Sequence, residues 1–328
     1  MALPKGEKNC ITDVADVQVG HVTLYEHLND IDTICTGVTA ILPHKENLFR
    51  KKVIAGNSVL NGFGKTTGLI QIDELGVLES PIMLTNTLSV GAVMQGTLSY
   101  MLNETEEIGD TTGTINLVVG ECNDGYLNSI RLQAVKPEHA IEAVEKATSD
   151  SSAEGAVGAG TGMQCLGYKG GIGTSSRIIA SEKKNYTLGA LVVSNFGRRE
   201  QAFFLTDSKQ KLDTPDGSIM MILATDAPFS DRQLKRLAKR CAIGLGRTGS
   251  TIDNGSGDIA IAFSTATKVE HQSDQITNTV TMIRDDYPIM NQFFQAVAEV
   301  IEEAIYRSLQ QAETTTGRGG RKLEKAPI

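Results

Sequence analysis

The chain has 328 residues, a formal net charge of −8 and 5% aromatic residues with no Trp. That acidic balance argues against a broad nucleic-acid surface, and the scarcity of aromatics disfavours a base-stacking platform. The length suits one large domain or two merged ones, and 33 glycines dispersed among apolar runs predict many tight turns and close backbone approaches. In chain order, β-branched alternation predicts strands over 14–24 and 36–43, and 56–68 reads as a glycine-rich stretch of turns. A helix or turn follows at 69–75, a short buried strand at 81–86 and a helix at 90–102. A strand over 114–121 ends in the polar loop Cys122-Asn-Asp-Gly-Tyr-Leu-Asn. Pro137 opens a helix that runs to about residue 148.

Residues 155–173 are rich in turn formers, and 176–180 with 186–194 form a hairpin pair. A buried strand covers 218–225. Ser230 caps the clearest helix, with Leu234, Leu237 and Cys241 on one face and Gly244 expected to end it. Its basic residues, Lys235, Arg236, Lys239 and Arg240, fit a solvated face. Strands are expected at 258–265 and 277–283, then a long amphipathic helix at 289–309. The basic, glycine-rich tail 314–328 reads as mobile. Buried strands mixed with amphipathic helices give an α+β chain, layered around one or two sheets.

Several familiar chemistries find no support. Gly62-Phe-Gly-Lys-Thr resembles the end of a phosphate loop, but its first glycine would fall at Val59. Gly171-Ile-Gly-Thr-Ser-Ser lacks the strand–turn–helix setting of a dinucleotide fingerprint, so both stretches read as turns. The histidines, His21, His27, His44, His139 and His271, are too dispersed for a metal site, and G-x-S-x-G is absent. Neither a metal nor a cofactor is called for. The cysteines, Cys10, Cys35, Cys122, Cys165 and Cys241, form no C-x-x-C pair, as expected for reduced thiols in the cytoplasm. No apolar run reaches membrane-spanning length.

Gly246-Arg-Thr-Gly-Ser-Thr, between the capped helix and the strand at 258–265, has two readings. It can be an ordinary turn, for which Gly and Ser are well suited. It can also be a self-cleaving junction, because glycine allows the strained approach of a following hydroxyl to its carbonyl. Cleavage would free an α-amine on the same residue as the nucleophilic hydroxyl, with a pKa of about 8 that lets it act as base without a histidine.

Blocks along almost the whole chain carry a resemblance. They are Asn61-Gly-Phe-Gly-Lys-Thr-Thr-Gly-Leu, Pro81-Ile-Met-Leu-Thr-Asn-Thr-Leu-Ser-Val-Gly, Val119-Gly-Glu-Cys-Asn-Asp-Gly-Tyr-Leu-Asn, Val193-Ser-Asn-Phe-Gly and Ile243-Gly-Leu-Gly-Arg-Thr-Gly-Ser through Ala262-Phe-Ser-Thr. With these the chain resembles the L-aminopeptidase/D-amidase-esterase and β-peptidyl aminopeptidase family, the self-processing serine hydrolases of peptidase family S58.

The resemblance implies a four-layer αββα sandwich, with Ntn-hydrolase-like layering and a different connectivity. It implies one hydrolase domain cut at Gly249-Ser250 into an α chain, 1–249, and a β chain, 250–328, in a homotetramer. Ser250 matches the nucleophile, Asn195 and Tyr126 match oxyanion-hole residues, and Glu121 matches the acidic residue that meets the substrate's amino group. The expected substrates are small peptides, amino-acid amides or esters, with no nucleic-acid or membrane partner. Supporting polar residues of the C-terminal segment, around Met290-Asn-Gln-Phe-Phe, find no secure match. Two other readings stay open: an acyltransferase of the ornithine-acetyltransferase-like class, using Thr251 after a shifted cut, and an unprocessed binding protein that keeps the fold.

Overall fold

Alternating β-branched residues build the first two strands, β1 (Gln18–His27) and β2 (Thr33–Leu42), paired antiparallel from Gln18↔Leu42 to His27↔Thr33. The computed structural model describes residues 2–182, 184–202 and 217–328. Next come β3 (Lys51–Gly62), α1 (Leu69–Leu75), β4 (Val77–Leu78), β5 (Ile82–Asn86), α2 (Val90–Glu104) and β6 (Val118–Cys122). Pro137 occupies the first turn of α3 (Pro137–Glu145), where its missing N–H is no loss. A small hairpin, β7 (Gln164–Cys165) and β8 (Tyr168–Lys169), precedes β9 (Gly171–Ile179) and β10 (Tyr186–Asn195). The chain continues through β11 (Ser218–Thr225), α4 (Asp231–Arg247), β12 (Gly257–Glu270) and α5 (Ile289–Gln310). A last hairpin, β13 (Thr315–Thr316) and β14 (Lys322–Leu323), closes it.

Two mixed sheets result, one in the order β1-β2-β5-β6 and the other β4-β3-β12-β11-β10-β9. Strand β11 shows how sequence periodicity becomes packing. Met220, Ile222 and Ala224 join Ile41, Leu84 and Val118 of the first sheet in one apolar cluster. Its alternate residues, Ile219, Met221 and Leu223, join Leu234, Leu237 and Cys241 of α4 and Phe293, Val297 and Ile301 of α5. A strand buried on both sides therefore reads as an unbroken apolar run. A third cluster packs Val38, Met83 and Val119 against Val93 of α2 and Ala140 of α3. Each fully buried large aliphatic contributes about 1.5–3 kcal/mol relative to exposure. The chain is thus α+β. Among the described residues no helix is long and apolar enough to cross a membrane.

Several expectations are corrected. Gly244 does not end the helix, which runs on to Arg247. A Cβ there would lie 2.7 Å from Ala298 O and from Ile301 Cβ, so this glycine lets α4 and α5 approach. Much of the glycine-rich stretch is strand: β3 extends to Gly62, because pairing with β12 supplies its ladder. Residues 171–176 begin β9 and are not a turn. Residues 277–283 belong to no strand; Val280 and Met282 are exposed there. The tail is docked. Arg318 N–H donates to Leu127 O (2.7 Å) and Gly319 N–H to Ile31 O (2.8 Å), while Leu323 and Ala326 are buried. The basic arc of α4 is solvated, as read: Lys239 is exposed, Lys235 and Arg236 make surface ion pairs with Asp73 and Asp285, and Arg240 lies over Phe294.

Candidate active site

One end of the two sheets gathers the C-terminal ends of β5, β6, β10 and β3 with the N-terminal ends of β11 and β12. The registers Asn195↔Ser218, Ser218↔Gly257 and Gly257↔Gly62 run across it. Glu121 in β6 is buried at this end. Its Oε1 accepts the Lys65 backbone N–H (2.8 Å) and its Oε2 accepts the Thr87 hydroxyl. Lys65 follows β3 and Thr87 follows β5, so one carboxylate ties three connections. The stretch that looked like a phosphate loop thus offers one backbone N–H, that of Lys65, to a carboxylate of the chain itself.

Asn195 closes β10 with both ends of its amide engaged. Oδ1 accepts the Gln164 N–H (2.9 Å), and Nδ2 donates to Asn123 O (3.0 Å). These contacts fix which end of the amide is the donor, and one Nδ2 hydrogen remains. Asn123 begins the loop that carries Tyr126. Leu127 and Asn128 N–H groups donate to Asp124 O, and Asn128 Nδ2 donates to Asp124 Oδ1 (2.9 Å). The Arg321 guanidinium, from the docked tail, lies 5.2 Å over the Tyr126 ring and donates to Tyr126 O (3.3 Å). The Asn123 carbonyl, just past β6 and Glu121, thus meets Asn195, while the Tyr126 ring three residues on packs against Arg321 and the cluster of Cys35, Leu127 and Leu323.

Ser250 arrives by another route. Helix α4 ends as Thr248 Oγ1 donates back to Leu245 O (2.8 Å) and Gly249 N–H to Gly246 O (3.1 Å). Gly249 then takes φ 102 and Ile252 φ 56. The first suits glycine alone, and the second is unusual for a β-branched side chain. Ser250 is half-buried, and its Oγ accepts the Ile252 N–H (3.2 Å). Asn61 Nδ2 donates to the carbonyls of Asp253, Asn254 and Ser256, seating the segment on the end of β3. The connection that carries Ser250 leads into β12, whose first residue Gly257 pairs with Ser218 at the end that holds Asn195; the serine hydroxyl's own hydrogen bond is local.

All five cysteines are free and buried, and His21, His44 and His271 are hydrogen-bonded to other groups. Burial pushes the Cys35 and Cys165 thiols up to about 12 and Cys122 well above the ordinary range. His21 is pushed down to about 4 by burial, its ring nitrogens against Thr39 and Ser152. His44 meets Lys51 O and His271 meets Thr112. Among the described residues no group of three His, Cys, Asp or Glu side chains is placed to hold a metal ion.

The sequence did not single out three buried charged groups at this end. Burial raises the Asp124 carboxyl to about 7 and the Asp258 carboxyl to about 6, and among the described residues each keeps one oxygen without a hydrogen-bond partner. Lys169 is fully buried, and burial lowers its ammonium to about 8. Asp124 stands between Asn123 and Tyr126, so its place in that block was the available signal.

This arrangement is that of an α+β hydrolase with a serine at the end of facing sheets. The model of peptidase family S58 matches residues 9–323. A β-peptidyl aminopeptidase of Sphingosinicella microcystinivorans is 39% identical over 98% of this chain and 86% of its own length. A solved structure from Pyrococcus horikoshii OT3 is 49% identical with a TM-score of 0.92, covering 100% of this chain and 93% of that one. The L-aminopeptidase D-Ala-esterase/amidase of Ochrobactrum anthropi, described as a variant of the Ntn hydrolase fold, is 34% identical. Its TM-score is 0.90, over 99% of this chain and 94% of that one. The chain belongs to peptidase family S58. It is a hydrolase, an aminopeptidase of the Ntn type.

Proposed function

We propose that the chain cuts itself between Gly249 and Ser250, and that Ser250 is then the catalytic nucleophile. The observation that carries this reading is the junction's backbone: glycine at φ 102 before a half-buried serine, with Ile252 also in the left-handed region. Gly249 has no Cβ to shield its carbonyl from attack by Ser250 Oγ, and the left-handed backbone of Ile252 strains the segment just beyond the bond. The acyl group passes from nitrogen to oxygen, and water hydrolyses the ester to give chains 1–249 and 250–328, which stay together as one domain. The freed α-amine, with an ordinary pKa of about 8, is the base.

In turnover Ser250 Oγ attacks the substrate carbonyl while the α-amine takes its proton. Asn195 Nδ2 and the Tyr126 hydroxyl donate to the developing oxyanion, a contribution that is usually large in acyl transfer. The protonated base gives its proton to the leaving amine or alcohol, and water hydrolyses the acyl-enzyme. Glu121 receives the substrate's ammonium: two of its about four acceptor positions go to Lys65 N–H and Thr87, and the rest are available.

The substrates are small peptides, amino-acid amides or esters with a free amino group, in line with the names of the related enzymes. No cofactor takes part. The stacking is a four-layer αββα sandwich, supported by three apolar clusters that lie between the sheets and on either side of them. The working form is a cytoplasmic homotetramer, a location that five free, buried thiols suit. The test is hydrolysis of L-, D- and β-aminoacyl p-nitroanilides and esters by wild type and Ser250→Ala. Turnover with wild type and none with the variant is expected; hydrolysis by Ser250→Ala would refute the assignment.

A further inference from the structure

Lys169 is a fully buried lysine that the proposed chemistry does not use. Its Nζ donates to Gly160 O (3.0 Å), Met163 O (2.9 Å) and Gly170 O (2.7 Å). An ammonium has three hydrogens and meets three carbonyls, so the group is fully satisfied and has none left for a substrate. A buried cation is costly to keep, which makes its location informative.

That location is directly opposite Gln164. In the β7–β8 hairpin Gln164 pairs with Lys169 and Cys165 with Tyr168. The two loop residues, Leu166 and Gly167, have φ of 49 and 73. A tight two-residue turn with both φ positive matches the twist of a hairpin, but leucine is an uncommon occupant. It is held there by Leu166 N–H donating to Phe196 O (2.7 Å), next to the end of β10. Gln164 then presents its N–H to Asn195 Oδ1. A Cβ on Gly162 would lie 2.8 Å from Asp124 Cβ, so the same turn also abuts the Tyr126 loop.

We propose that Lys169 is a positioning residue for Asn195: by gathering the carbonyls of 160, 163 and 170 it sets the hairpin whose Gln164 N–H orients the Asn195 amide. This rests on the reading of Asn195 as an oxyanion donor. Replacing the ammonium frees three buried carbonyls and lets the hairpin shift. The Asn195 amide can then rotate, and Nδ2 loses its aim. Substrate binding at Glu121 does not pass through this hairpin, so KM should move little.

The experiment measures kcat and KM per processed site on an aminoacyl p-nitroanilide for wild type, Lys169→Met, Asn195→Ala and the double variant. Lys169→Met is expected to lower kcat about 10-fold with KM within about 2-fold, and to lower it less than about 2-fold in the Asn195→Ala background. An equal loss in both backgrounds, or no loss, overturns the positioning role. If Asn195→Ala itself keeps the wild-type kcat, the oxyanion reading fails first, which the single variant shows separately. Lys169→Gln, which retains two donor hydrogens, is the second variant, with a smaller kcat loss of the same dependence on Asn195 expected. Failure of both variants to fold would make Lys169 a purely structural residue and overturn the proposal.

Discussion

The two halves of the site are built in opposite ways. The side-chain polar atoms of Glu121 and Asn195 are each held by groups distant in sequence: Lys65, Thr87, Asn123 and Gln164 fix the two side chains in place. From Thr248 to Ser250 and Ile252 the backbone contacts are local and two residues take positive φ, while Asn61 seats only the later part, 253–256. Groups that must meet a developing charge gain from rigid placement. A bond that must be attacked by its own neighbour gains from a glycine that leaves its carbonyl open and from strain close by, here at Ile252.

That contrast can be broken at its rigid side first. Asn195→Ala should lower kcat about 10²–10³-fold, as loss of one oxyanion donor does, with little change in KM. Steady-state kinetics on an aminoacyl p-nitroanilide checks this. Glu121→Gln should raise KM about 10–100-fold by removing a charge-assisted contact to the substrate's ammonium, leaving kcat nearly unchanged. On the strained side, Gly249→Ala should slow self-cleavage about 10-fold, because an L-residue at φ 102 forces the carbonyl to move. Time-resolved gel analysis of freshly made protein measures it.

The smallest effect on activity is expected at the border of the two regions. Asp258 accepts from Ser256 Oγ (2.7 Å), and burial raises its carboxyl to about 6. A native pKa above the unfolded value of about 3.9 means the folded chain binds the proton more tightly, so stability falls as pH rises between about 4 and 6 and is level above that. Asp258→Asn should remove this slope and stabilise the protein at pH 7 by about 1–3 kcal/mol, seen in melting midpoints from pH 4 to 7.5.

Local chemistry was legible where it decides structure locally. Ser230 caps α4 as read, its Oγ accepting Gln233 N–H while Gln233 Oε1 accepts Ser230 N–H. Pro137 opens α3 for the same kind of reason. Glycines that serve packing misled: Gly244 reads as a helix stop and is a helix–helix contact. The tail reads as mobile because its composition hides the burial of Leu323 and Ala326, and Leu323 packs with Cys35 and Leu127 from far earlier in the chain. Glu121, Tyr126, Asn195 and Ser250 were singled out through their sequence blocks, and the structure shows how Glu121 and Asn195 are held. Lys169 and Asp124 were not, since a charged residue carries no sign of its own burial.

The most direct measurement of the central claim is the intact mass of the purified protein with sequencing of any new N-terminus. The account predicts two chains, 1–249 and 250–328, with Ser250 first in the smaller, and one uncut chain for Ser250→Ala. A wild-type chain that stays whole on prolonged incubation, or a cut that exposes Thr251, would contradict it.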